Sequence, residues 1–176
     1  MGLPIRTKDR IQTERLVLKP YAPRDVMPLV RLLTHDGITK TFMVPDFQTG
    51  DQAVELAQRL IAFSQPEDSA HLEYGIYLDD RLIGFVNDCG IEDDEIEIGY
   101  VIDPDAQDHG YATEAVRAII EELSGMGFRK VTAGYFVENE SSRRVMEKCG
   151  MKPTDRTDEE EYRDALHSCR YYEVCF

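Results

Sequence analysis

The sequence predicts an α/β fold of the α+β kind, in which helices pack on one mixed sheet. Three observations carry that expectation. The chain has 176 residues, the length of a single domain. Hydrophobic residues make up 42% of it and are spread along its whole length, enough for a core that needs no covalent staple. Its apolar periodicity also switches repeatedly between about two residues and about 3.6. Residues 1–12 are expected to be a flexible or edge segment ahead of the folded body.

Each element follows from local pattern. Residues 16–21 read as a short extended segment stopped by Pro20 and Pro23. In 24–33, Val26, Leu29, Val30 and Leu33 fall at helical spacing. Thr49 is a favourable N-cap for a second helix over 51–63, with Val54, Leu56, Ala57, Leu60 and Ile61 as its buried stripe. Pro66, Glu67 and Asp68 mark a loop. The β candidates 71–78 and 82–89 are joined by Asp79, Asp80 and Arg81, a connection short enough for an antiparallel hairpin. Residues 95–102 alternate, with Ile96, Ile98, Tyr100 and Ile102 on one face and Glu95, Glu97, Gly99 and Val101 on the other. A glycine inside a strand weakens packing, so Gly99 marks a bulge or a close approach to the backbone. After the turn Gln107-Asp108-His109-Gly110-Tyr111-Ala112-Thr113, a helical face runs through Ala112, Ala115, Val116, Ile119, Ile120 and Leu123 towards Gly125 and Gly127. Residues 130–137 read as a strand, and Asn139, Ser141 and Ser142 head a short helix capped by Gly150. The acidic stretch 155–161 reads as a solvated loop or edge, and 166–176 as a tyrosine-rich final strand.

Charge and composition exclude several functions. Lys and Arg number 20 against 34 Asp and Glu, a net −14, and no basic stripe is present to neutralise nucleic-acid phosphates. No apolar run of about 18 residues suggests a membrane span and no leader pattern opens the chain, so a cytoplasmic location is expected. Cys89, Cys149, Cys169 and Cys175 form no C-x-x-C pair and are expected to be reduced and packed. His35, His71, His109 and His167 lack ligand spacing, and no metal site is expected.

Chemistry is concentrated where a strand, a small-residue turn and a helix meet. Free N–H groups at a helix start can hold a phosphorylated ligand without help from net charge. Gly110 and Ala112 remove side chains that would block backbone approach, and Thr113 adds a hydroxyl. A plain capping turn explains the same glycine, and neither the dinucleotide nor the nucleoside-triphosphate fingerprint is present. Gln107-Asp108-His109-Gly110-Tyr111-Ala112, preceded by Ile98-Gly99-Tyr100-Val101-Ile102, resembles the pyrophosphate loop of the GNAT superfamily of acyl-CoA-dependent N-acyltransferases. Asn139-Glu140-Ser141-Ser142-Arg143, running to Cys149-Gly150-Met151, resembles that family's later Asn-x-x-Ser helix. Thr13-Glu14-Arg15-Leu16-Val17-Leu18 and Arg81-Leu82-Ile83-Gly84 resemble its RimJ/RimL branch of ribosomal-protein N-terminal acetyltransferases. The matches span residues 13–172.

The resemblance implies one N-acetyltransferase domain over 1–176, with a mixed, mostly antiparallel sheet of six to seven strands and helices on both faces. A splayed strand pair would hold acetyl-CoA as co-substrate, with no metal. Gly99 would lie at the bulge where the strands part, and Val101 and Ile102 would offer backbone groups to the pantetheine arm. Gln107 would open the loop, and the amides of His109, Gly110, Tyr111, Ala112 and Thr113 would hold the pyrophosphate. Asn139 and Ser142 would contact the lower arm of the cofactor, although capping explains both residue types.

Transfer to an amine needs a base, and Glu97 is the candidate, acting directly or through water. Its alternative role is the polar side of an alternating strand, like Glu95. The tyrosine that many relatives carry seven positions after the Asn is here Met146, so Ser142 is the candidate proton donor, or it only binds cofactor. Of Tyr171 and Tyr172, one can face the active side of the sheet, and core packing accounts for either. The segment 34–49, with Phe42, Met43 and Phe47, is expected to shape the acceptor pocket. The acceptor is either a peptide N-terminal amine or a small amine, and a negative field suits both. A non-catalytic acyl-CoA sensor is the reading from another class. The tyrosine-rich last strand permits a monomer or a homodimer.

Overall fold

A computed structural model describes residues 2–176. In chain order the elements are β1 (Ile11–Gln12), β2 (Val17–Lys19), α1 (Val26–Thr34), α2 (Asp36–Thr39), α3 (Gly50–Phe63), β3 (Glu73–Leu78), β4 (Arg81–Glu92), β5 (Glu95–Ile102), α4 (Tyr111–Met126), β6 (Lys130–Phe136), α5 (Glu140–Lys148), β7 (Lys152–Tyr162) and β8 (Ala165–Cys175). The strands form one sheet in the order β1-β2-β3-β4-β5-β6-β8-β7. Neighbours are antiparallel except β5 and β6, which α4 connects as a crossover and which therefore run parallel.

The fold class is the expected one, and the strand count is eight rather than six or seven. The extra strand is β1, two residues long and too short to show a period. The acidic stretch is the edge strand β7, not a loop, because β8 supplies a ladder that its own charged sequence does not advertise. Helix α2, a single turn inside the segment expected to be loop, starts where the His35 ring accepts from the Gly37 N–H at 2.9 Å. Residues ahead of β1 are docked: the Leu3 N–H donates to the Asp93 carbonyl at 2.8 Å, and Ile5 is buried.

Helices cover both faces because the strands are apolar on both. On one face α4 buries Ala115, Val116, Ile119, Ile120 and Leu123 against Ile76, Val86, Ile96, Ile98 and Val131. On the other, α1 and α3 bring Leu29, Leu32, Leu33, Ala57 and Leu60 to Tyr77, Leu82, Phe85 and Val101. That second cluster contains no residue of β6, β7 or β8. Thr49 caps α3 as expected, its hydroxyl accepting from the Gln52 N–H. The β3–β4 hairpin turns on Asp79 and Asp80, at φ 49° and 60°, the left-handed pair that a two-residue hairpin loop requires. No helix among the described residues is long and apolar enough to cross a membrane.

Under α1 and α3 lie two buried carboxylates. The Tyr77 hydroxyl donates to Asp25 at 2.6 Å, and the Tyr21 hydroxyl donates to Glu73 at 2.6 Å. Burial drives the Glu73 carboxyl well above the usual range, against the pull of the Tyr21 hydrogen bond. Glu73 thus holds its proton more tightly folded than unfolded. Its contribution to stability is complete below the ordinary Glu value of about 4.3 and is lost as pH rises towards the folded-state value. Glu73→Gln keeps the acceptor for Tyr21 and removes the titration. Its melting temperature should match the parent's at pH 4 and exceed it by a few degrees at pH 8, at about 2–4 °C per kcal/mol for a chain of this size. A parent–variant difference that does not change with pH would refute this reading.

Candidate active site

The site is built on the parting of β5 from β6. Their parallel pairing covers Glu95–Ile98 against Lys130–Ala133 and then stops, so from Gly99 onward β5 has only β4 as a neighbour. The parting starts at Gly99 as expected, but the bulge is not there. It lies on β4, where Asp88 pairs with Ile98 and Gly90 with Glu97, leaving Cys89 as the extra residue. Gly99 instead permits a close approach. A Cβ on it would stand 3.0 Å from Asn87 Oδ1, 3.1 Å from Cys89 Sγ and 3.1 Å from the Phe42 ring.

A cleft of about 470 Å³ opens beside this parting. It is lined by Tyr100, Val101 and Ile102 of β5, by Gln107, Gly110, Tyr111, Ala112 and Thr113, and by Asn139 and Ser142. Residues 37–42 close its other side, apart from Thr39. Backbone groups alternate in direction along a strand. The Val101 carbonyl faces β4 at Gly84 and the Asp103 N–H donates to the Ile83 carbonyl, so Tyr100 and Ile102 turn their groups towards the opening. The Ile102 carbonyl accepts from Gln107 Nε2 at 3.1 Å, which ties the loop to the strand end.

Loop geometry follows from backbone conformation. Asp108 and Gly110 both adopt positive φ, 65° and 81°, and Gly110 is the N-cap of α4. The first helical bond is from the Glu114 N–H to the Gly110 carbonyl, so the amides of Tyr111, Ala112 and Thr113 come before any intrahelical partner. The His109 ring turns back on its own loop, Nδ1 lying 2.6 Å from the Gln107 carbonyl and the ring stacking on Tyr111. From outside, Arg15 braces the turn: Nη1 donates to the His109 carbonyl at 2.8 Å and Nε pairs with Glu114 at 2.7 Å. Burial alone would raise the Glu114 carboxyl, yet hydrogen bonds from Thr13 and Arg15 hold it below its usual value. This explains physically why Thr13 and Arg15, far away in sequence, belong with the loop.

Asn139 caps α5, its Oδ1 accepting from the Ser142 N–H at 3.2 Å. The Tyr100 hydroxyl lies 2.9 Å from the Ser142 carbonyl and 3.0 Å from Ser142 Oγ, bridging the two sides of the opening. Burial pushes that hydroxyl up, so it stays protonated at neutral pH. Met146 is fully buried, a core residue. Lys40, Arg144 and Lys148 also line the cleft, where they offset Asp108, Glu138 and Glu140, so the lining of this acidic protein is locally balanced. Sequence reasoning missed Tyr100 and these three cations. Only the i, i+4 spacing of Arg144 and Lys148 was there to be noticed.

Glu97 is outside this lining, on the opposite face with Gly99. Its Oε2 accepts from Arg156 Nη1 at 2.9 Å, while the Arg156 guanidinium lies 3.7 Å from the centre of the Tyr171 ring and pairs with Asp158 at 3.2 Å. Pairing is irregular between Pro153 and Thr157, and Arg156 in this stretch reaches across to Glu97 while staying half exposed. Tyr171 is therefore the tyrosine on this face; Tyr172 faces α5, where its hydroxyl donates to Glu147. The Tyr162 hydroxyl clasps the segment before Phe42, donating to the Thr39 carbonyl at 2.5 Å. No group of three or more His, Cys, Asp or Glu among the described residues could hold a metal.

A parallel strand pair that opens over a phosphate-sized helix start is the architecture of an acyl-CoA-dependent transferase. The acetyltransferase (GNAT) domain family matches residues 15–152, and the chain belongs to that family. It transfers an acetyl group from acetyl-CoA to an amine acceptor. It is 25% identical over 147 residues to YoaA of Bacillus subtilis, described as an uncharacterised N-acetyltransferase, covering 81% of this chain and 82% of that protein. Solved structures that share the fold include two with cofactor bound. One is the ribosomal L7/L12 alpha-N-protein acetyltransferase RimL with coenzyme A, with TM-score 0.82, 18% identity and coverage of 94% of this chain and 97% of that one. The other is the microcin C7 self-immunity acetyltransferase MccE with acetyl-CoA and AMP, with TM-score 0.81, 19% identity and coverage of 97% and 98%.

The Asn139 cap can be separated from any contact that this residue makes with a ligand. Asn139→Ala should lower the melting temperature by about 2–4 °C, as loss of a cap worth about 1 kcal/mol requires. Asn139→Asp, which keeps an acceptor oxygen, should restore most of it. Equal melting temperatures for the parent and Asn139→Ala would remove the cap from the account.

Proposed function

We propose that residues 1–176 act as one cytoplasmic acetyltransferase domain of the RimJ/RimL kind, and that its acceptor is the α-amine of a protein or peptide chain. The supporting observation is the face that carries Glu97. Helices α1 and α3 pack over β2 to β5, and α2 meets β7 at Tyr162, so Glu97, Arg156 and Tyr171 lie on a part of this face outside the α1–α3 cluster, which we read as an open trough rather than a closed pocket. A chain terminus fits an open trough; a small amine would be held better by a closed one. RimL, which shares the fold, is described as an alpha-N-protein acetyltransferase.

In this reading acetyl-CoA lies along the cleft on the α4–α5 side. The amides of His109 to Thr113 hold its pyrophosphate, helped by the positive end of α4. Lys40, Arg144 and Lys148 balance the remaining phosphate charge, and Ile102 with Tyr100 receives the pantetheine arm where β6 no longer pairs with β5. The thioester then projects through the parting of β5 and β6 towards the opposite face. Glu97 removes the amine's proton, directly or through one water, as the new C–N bond forms. As the C–S bond breaks, Ser142 Oγ gives a proton to the departing thiolate and regains one from solvent, with the Tyr100 hydroxyl fixing its orientation. Asn139 holds Ser142 in place through the cap.

Free-thiol release with acetyl-CoA, run against a panel of free-N-terminus peptides, polyamines and amino sugars, tests the acceptor class. Peptides should be turned over at least tenfold faster in kcat/KM, and faster small-amine turnover would overturn the assignment. Glu97→Gln should slow turnover at pH 7 by about a hundredfold or more, the usual worth of a general base, while acetyl-CoA affinity stays within about twofold. Gly110→Asp should weaken acetyl-CoA binding at least about tenfold. It strains a residue at φ 81° and puts a negative charge where phosphate should sit. Unchanged affinity in that variant would move the phosphate site elsewhere.

A further inference from the structure

Asn87 Oδ1 is one of two buried side-chain polar atoms among the described residues that have no hydrogen-bond partner. The other, Thr7 Oγ1, lies in the N-terminal segment on a rotatable hydroxyl. An orphaned buried acceptor is costly, and native proteins keep few of them. Its location is specific. Asn87 pairs with Gly99 across β4 and β5, so its side chain shares the face of Glu97, and Oδ1 leans over the glycine where β5 leaves β6. The bulge at Cys89 brings that thiol to the same spot, and the Phe42 ring closes the third side. Gly90, opposite Glu97, adds no side chain. The orphaned oxygen thus sits in a closed niche beside Cys89 and Phe42, shut from solvent in the free protein and one strand repeat, about 7 Å, from Glu97, and an amine reaches it by displacing the Phe42 ring.

We infer that Asn87 Oδ1 is the docking point for one N–H of the acceptor amine. The inference rests on the amine-acceptor reading above and adds a residue to it. An amide oxygen accepts and does not donate, so it selects a nitrogen that still carries hydrogen. In the niche its hydrogen bond is strengthened by the low local dielectric. A neutral primary amine has two N–H bonds and a lone pair. With one N–H on Asn87 and the other directed to Glu97 or its water, the lone pair faces the opening through which the thioester arrives. A secondary amine has one N–H and satisfies only one of the two groups. The site is therefore selective for primary amines, and the unpaired oxygen in the free protein is its stability cost.

Asn87→Leu and Asn87→Asp test this with acetyl-CoA, the best peptide of the panel and its N-methylated counterpart. Asn87→Leu removes an unsatisfied acceptor, so its melting temperature should equal or exceed the parent's. Its kcat/KM for the peptide should fall at least tenfold, its acetyl-CoA affinity should hold within twofold, and the parent's preference for the primary over the N-methylated amine should shrink. Asn87→Asp, which keeps acceptor oxygens and lacks N–H donors, should retain more activity than Asn87→Leu. A lower melting temperature for Asn87→Leu would show that the amide has a structural partner and would overturn the inference, as would equal activity losses in the two variants. If the parent acetylated no amine at all, the acceptor reading would fall first, and the melting temperature of Asn87→Leu would still decide whether the oxygen is orphaned.

Discussion

The constraint on which the rest depends is the short reach of the parallel pairing between β5 and β6, four residues on each strand. β5 is held on its other side by β4 along its whole length, and its end is pinned where Arg31 of α1 pairs with Asp103. β6 is drawn away by β8, which pairs with it from Lys130 to Phe136. Both strands are fixed by their other neighbours, so the gap between them is a property of the sheet. Backbone polar groups in such a gap need partners. The protein supplies some itself, Gln107 to Ile102 and Tyr100 across to Ser142, and a ligand with alternating amide groups can take the rest.

Because the gap passes through the sheet, it joins two environments of different character. On the α4–α5 side the lining is loop amides, with Lys40, Arg144 and Lys148 offsetting Asp108, Glu138 and Glu140. On the other, Glu97, Asp158 and the acidic β7 surround a single guanidinium. A net −14 looks hostile to a polyphosphate. Yet charges farther off than about 8 Å are largely screened at physiological salt, so the groups at the cleft decide. The same chain can hold an anionic co-substrate on one face and draw a cationic acceptor to the other.

What the sequence made legible and what it hid divide along physical lines. β5, the Thr49 cap and the start of α4 at Gly110 depend on local pattern, and the structure has them where pattern puts them. Hidden features depend on partners distant in the chain. β7 reads as a solvated acidic run because its strand character comes from β8. The bulge was expected at Gly99, since glycine is the local mark of irregular strands, but register is a property of two strands and the extra residue is Cys89 on the other one. Arg15 on the turn before α4 and Arg156 on Glu97 bridge 94 and 59 positions, spans at which no periodicity speaks. Val101 illustrates a finer limit: alternation placed its side chain correctly, with Phe85 and Tyr77, while its carbonyl faces β4.

The acidic edge strand bears on how the trough stays open. An exposed strand offers unpaired backbone groups to any second strand, including its own copy. In β7, Asp155, Asp158, Glu159, Glu160 and Glu161 outnumber the two cations Lys152 and Arg156 within eleven residues, and Arg156 is paired with Glu97. Antiparallel pairing of two such strands would set carboxylates against carboxylates, which is unfavourable across a sheet. Self-association through β7 is therefore opposed by the very charges that border the acceptor side. Of the two cations that would soften that repulsion, Arg156 is committed to the candidate base and Lys152 stands at the far end of the strand. The edge thus serves solubility and access together: it keeps a second copy off the trough while leaving its field to attract an ammonium group.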